Sequence, residues 1–221
     1  MIPLWLKLAY TALVAVIVPL YWLRHGPKNF LWFSDIALIV LVPALWLESA
    51  LLFSMMAIGV LLPEAVWTAS FLGGLVFRRP VTGLAGYMFD DSLPRWLRGL
   101  SLFHLLLPPL LVWGVWRLGY DPRALVLQTL AAWVVLPVTR LATEPRDNVN
   151  WVFAPGRRRP SIDGRLYFAL VMLLFPLCVY LPSHWLLSWL FGADDAVQNL
   201  PLFWGAVEKS FLPRSILPPT Y

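Results

Sequence analysis

Asn29-Phe-Leu-Trp-Phe-Ser-Asp-Ile-Ala-Leu-Ile-Val-Leu-Val-Pro-Ala-Leu-Trp46 is an almost unbroken apolar run. At about 1.5 Å per helical residue it crosses most of a hydrocarbon core about 30 Å thick. Its polar interruptions, Ser34 and Asp35, make it informative. A carboxylate within a membrane segment is costly and persists where it has a functional or structural partner. A second run, Gly99-Leu-Ser-Leu-Phe-His-Leu-Leu-Leu-Pro-Pro-Leu110, repeats the pattern with Ser101 and His104.

Composition points the same way. Apolar residues make up 60% of the 221 positions and charged residues 13%, against roughly 25% charged in soluble domains. A water-facing surface cannot be built from such a chain. Gly, Pro and charge clusters punctuate it into expected spans near 3–23, 30–47, 49–77, 99–118, 123–141 and 165–190. The expected fold is an all-α, polytopic transmembrane helical bundle of six spans, forming one domain over residues 1–192. Residues 193–221 mix aromatic residues, prolines and charges, and are expected to form an interfacial C-terminal tail. Residues 49–77 exceed what a bilayer requires and contain Pro63-Glu64, so dividing them into two spans, seven in all, is the alternative. The first span reads as a retained helix, because no small-residue cleavage site precedes Arg24-His-Gly-Pro-Lys28.

The net charge of +5 is unevenly spread and reports topology rather than a nucleic-acid partner. With six spans, loops 24–29, 78–98 and 140–165 share one side and hold twelve of the 17 Lys and Arg residues, leaving five on the other. Splitting 49–77 weakens this to eleven against six, so six spans with the arginine loops cytoplasmic is the preferred arrangement. The Gly156-Arg-Arg-Arg159 run is expected to anchor that side to anionic headgroups. The lone Cys178 excludes an intrachain disulfide and a CxxC site, and is expected to be a small buried residue. No metal-ligand spacing, phosphate-binding glycine loop, GxSxG elbow or haem motif is present, so no metal and no cofactor are expected.

Under this topology Ser34, Asp35 and His104 lie at one level, about one turn inside their helices on the cytoplasmic side. Asn148 and Asn150 flank the same end of the fifth span, and Tyr87 precedes the fourth. Such a set permits nucleophilic acyl transfer. Ser34 would be the nucleophile, His104 the general base, Asp35 an orienting carboxylate, and Asn150 or Asn148 the oxyanion donors, with Tyr87, Arg98 and Arg140 contacting substrate. Adjacent helical residues point about 100° apart, so Asp35 can instead pair with Arg98 or Arg140. Simpler roles exist for each group: Ser34 back-bonding to a helix carbonyl, His104 bridging two helices, and Glu64 satisfying backbone freed by Pro63. His25 reads as a solvated loop residue, and His184 falls near the opposite face, out of reach of His104.

Two further function classes compete. One is a non-enzymatic transporter or lipid-binding protein with Asp35, Glu64 and His104 lining a path. The other is a partner-binding membrane protein, suggested by 13 tryptophans, although such residues commonly anchor helices at the interface. Membrane lipids are the expected partners, with a second copy or another membrane protein as the remaining class.

Leu31-Trp-Phe-Ser-Asp-Ile36 at the start of the second span, His104 four residues before Pro108, and Asn148-Val-Asn150 after the fifth together resemble uncharacterised bacterial polytopic membrane proteins. More remotely, over residues 25–155, they resemble two groups of lipid enzymes. One is the heptahelical YwaF-like family with its ether-lipid acyltransferase relative, in which a Cys stands at the position matched to Ser34 and a His at that matched to His104. The other is the androgen-induced membrane hydrolases, which pair a Thr early in one span with a His early in a later one. The resemblance implies an intramembrane lipid acyl hydrolase or acyltransferase in a bacterial inner membrane.

Overall fold

A computed structural model describes residues 1–77, 84–155 and 162–192, and these contain helices and loops with no strand. Five helical segments are long and apolar enough to cross a membrane. They are α1 (Leu4–His25), α3 (Ala50–Phe77), the α4–α5 segment Arg95–Leu118, α6 (Ala124–Ala142), and Gly164–Phe191. The chain is a helical membrane protein, and its outward side chains suit hydrocarbon: Leu141 is 88% and Trp189 78% exposed. The expected interfacial tail, Arg78, Arg79 and the Gly156-Arg-Arg-Arg159 run lie outside the described residues.

The second expected span, 30–47, departs from the reading above. A 3-10 turn, Pro27–Leu31, is followed by an extended Trp32, and α2 begins only at Phe33, running to Trp46. Its 14 residues reach about 21 Å, short of a full crossing. Ser34 and Asp35 therefore sit in the first turn of α2 and not one turn inside it. The fourth span breaks similarly, into α4 (Arg95–Leu100) and α5 (Phe103–Leu118), which places His104 in the first turn of α5.

Residues 50–77 form one continuous helix through Pro63, so no seventh segment arises there. Proline removes one backbone donor and opposes the carbonyl four residues earlier. Neighbouring helices support α3 at this point, since it packs against α2, α5, α6 and α8 (Leu181–Phe191). Two glycines allow the close approach: a Cβ on Gly114 of α5 would overlap the Phe53 ring, and one on Gly59 would come within 2.7 Å of the Gln128 amide nitrogen of α6. The last crossing joins α7 (Gly164–Leu174) to α8 through a π-helical turn, Phe175–Tyr180, which accommodates Pro176. Asp163 caps α7 by accepting from the N–H groups of Arg165 and Leu166. Within this turn Cys178 is exposed, not buried as expected.

Candidate active site in the cavity at the N-termini of α2 and α5

The two helix breaks turn short polar segments inward. Around them lies a cavity of about 410 Å³, lined by side chains of α1 to α5, the Asn150–Trp151 loop and Phe175. Ser34, Asp35, Asn150, Tyr87, Arg98 and His104 all line it, as does Glu64; Asn148 and Arg140 do not.

Glu64 and His104 form the best-defined contact. His104 Nδ1 lies 2.9 Å from Glu64 Oε2 and 3.0 Å from Oε1. A carboxylate that accepts from this ring requires the tautomer with the proton on Nδ1, which leaves Nε2 as the acceptor nitrogen. The imidazole is stacked between Trp67, with ring centroids 4.5 Å apart, and Phe103, at 4.1 Å. Glu64 is buried at 3% exposure. Its carboxylate is thus committed to His104 and not to the backbone freed by Pro63.

Ser34 is half-buried, and its hydroxyl makes no hydrogen bond with any described residue, so the expected back-bond to a helix carbonyl is not formed. It sits in the first turn of a helix whose N–H groups carry partial positive charge toward the cavity. Asp35 is 4% exposed and accepts from Asn29 Nδ2 at 3.2 Å. No arginine among the described residues pairs with it. Arg98 donates to Met88 O at 3.0 Å and lies 3.4 Å from Asp91, while Arg140 donates to Val152 O at 2.7 Å and Gly164 O at 3.1 Å.

The asparagines serve the backbone. Asn150 Oδ1 accepts from the Phe33 N–H at 3.2 Å and its Nδ2 donates to Leu31 O at 2.7 Å, so it caps α2 across 117 residues of sequence. Asn148 Oδ1 accepts from the N–H groups of Phe153 and Ala154. Both hold left-handed backbone, at φ 41° and 50°, which asparagine tolerates; Trp151 beside them has φ 56°, a strained setting for a bulky residue. One Nδ2 hydrogen of each is committed to a backbone carbonyl, Leu31 O for Asn150 and Ala154 O for Asn148.

Other donors stand in the cavity. Tyr21 Oη and Ser101 Oγ are 2.8 Å apart. The Tyr87 hydroxyl lies against Ser101 and Trp67, and burial pushes its phenol well above the ordinary range, so it remains a proton donor at neutral pH. The Trp67 Nε1–H is buried beside the Tyr87 hydroxyl and makes no well-formed hydrogen bond among the described residues. Glu64 and Trp67, three residues apart on one face of α3, were the informative omission from the sequence-derived catalytic set. A Glu within a 28-residue apolar helix is as costly as Asp35 and carries the same signal. His25, at the exposed end of α1, borders the cavity as well, although the sequence reads it as a loop residue. No family model, curated protein or solved structure matches the chain.

Proposed function

We propose that the protein is an intramembrane lipid acyl hydrolase or acyltransferase acting near the cytoplasmic leaflet. The observation that carries this reading is the Glu64–His104 pair at 2.9 Å lining one cavity with a Ser34 hydroxyl that bonds no described residue. Glu64 takes the orienting role that the sequence assigned to Asp35. A carboxylate holding Nδ1–H sets the tautomer in which Nε2 can accept a proton from a nucleophile.

Ser34 Oγ attacks the ester carbonyl carbon while its proton passes to His104 Nε2, and Glu64 stabilises the resulting imidazolium. The oxyanion receives hydrogen bonds from Tyr87 Oη–H and Trp67 Nε1–H and faces the positive end of α2. Collapse of the tetrahedral species breaks the carbon–oxygen bond to the leaving alcohol, which takes the proton from Nε2. Water, or a second alcohol, then releases the acyl group from Ser34 by the same proton exchange. A fluorophosphonate probe should label purified protein at Ser34, and Ser34→Ala should abolish labelling while the helical fold persists. Equal labelling of wild type and variant would overturn the reading.

A second reading rests on Asp35, buried with no cationic partner among the described residues in the cavity that also holds Glu64 and His104. Such a set suits a proton or solute path. Flux into proteoliposomes that depends on pH and disappears in Asp35→Asn would favour this reading over catalysis.

A further inference from the structure

The cavity adjoins a second, larger hollow. Trp32, Pro63, Leu84, Trp151 and Phe175 line both, and the second holds about 1540 Å³ between the 143–155 loop and α7. Its character changes along its length. At one end stand Arg140, Glu144, Arg146 and Asp147; along α7 and the π-helical turn stand Val171, Leu174 and Cys178, spaced by three and four residues on one helix face. Leu174 is 47% exposed and Cys178 is exposed. In a segment that crosses a membrane, an exposed wall of this kind opens to hydrocarbon.

A polar mouth, an apolar trough and a junction with a polar cavity match the parts of one kind of molecule. We infer that this groove holds an acyl chain of a membrane phospholipid and admits the lipid laterally, bringing its ester to the cavity past Trp32 and Trp151. These two indoles meet edge to face with centroids 6.3 Å apart, and the strained Trp151 backbone sits in the partition between the two hollows. Arg140 ties the walls of the mouth together through the carbonyls of Val152 and Gly164. Delivery to Ser34 rests on the acyl-transfer reading; occupancy of the groove does not.

The single cysteine supplies the probe. Bimane attached to Cys178 in the detergent-solubilised full-length protein should be quenched saturably by phosphatidylcholine carrying a nitroxide on its acyl chain. Unlabelled phosphatidylcholine should reverse that quenching, and Leu174→Trp or Val179→Phe, which fill the trough, should remove it. Bimane at position 141, introduced as Leu141→Cys in a Cys178→Ser background, sits at a site that is 88% exposed and does not line the groove, and should show only shallow, non-saturating quenching. Equal non-saturating quenching at both positions would overturn the groove. Delivery is read with p-nitrophenyl esters: Leu174→Trp should slow turnover of the palmitate about tenfold or more and leave the acetate unchanged. Equal effects on both esters would overturn the delivery role. Absence of turnover in wild type for either ester would remove the Ser34 chemistry and leave the quenching result to decide the groove alone.

Discussion

Two histidines occupy opposite ends of this bundle, and they are used differently. His104 bonds a buried carboxylate from another helix and lines a cavity. His184 bonds the Tyr120 hydroxyl through Nδ1 at 2.6 Å, in the turn between α5 and α6. Around His184 the contacts are short-range staples: Tyr120 N–H donates to Phe191 O, the Asp121 N–H donates to Ser54 Oγ at 2.9 Å, and Arg123 clasps Asp121 at 2.7 Å. They pin a turn to α3 and α8. At the His104 end, polar side chains instead line a cavity, and the backbone nearby is strained. An imidazole in a membrane segment is informative through its partner and the space beside it, not through its presence.

The sharpest way to break this comparison is to remove each ring in turn. His104→Ala should lower fluorophosphonate labelling at Ser34 by on the order of 10⁶-fold, while His184→Ala leaves it unchanged. Comparable loss in both would mean that labelling follows fold integrity. Glu64→Gln keeps the size of the side chain but no longer favours the required tautomer, so labelling should fall by about 10⁴-fold. Retained labelling there would reduce Glu64 to a structural partner.

Weaker effects separate the two ends by stability alone. Asn150→Ala removes a helix cap and should cost about 1–2 kcal/mol in thermal unfolding of the detergent-solubilised protein. Tyr120→Phe deletes one staple and should cost about 1 kcal/mol with labelling intact. The smallest effect is at Asp121, whose carboxyl the Arg123 guanidinium holds below the ordinary carboxylate range. A lowered folded value means that the stabilisation is fully present above the unfolded value, about 3.9, and is lost as pH falls through the folded one. Asp121→Asn should therefore flatten the acid limb of a stability profile measured below about pH 4. An unchanged acid limb would show that this surface pair contributes nothing measurable.

Much of the architecture was legible residue by residue. Apolar runs bounded by Gly, Pro and charge located all six helical segments, because hydropathy and bilayer thickness act on each stretch independently. Ser34, Asp35 and His104 stood out for the same reason, and they do line one cavity. The breaks at Trp32 and at Ser101–Leu102 were less visible, since no Gly or Pro stands at either position. Partners were the least legible. Asn150 looked like a donor for catalysis, but its amide caps a helix that begins far earlier in the chain.

The sequence by itself determined that this chain partitions into a membrane as helices, and which few polar side chains must bear the cost of being there. Only the tertiary structure decided that Glu64 and not Asp35 meets His104, and that Arg98 and Arg140 donate to backbone carbonyls and not to Asp35. The reason is rotational. Helices apolar on nearly every side carry little information about which face turns inward. That setting emerges when Gly59 and Gly114 let α3 approach α6 and α5 closely enough to orient Glu64.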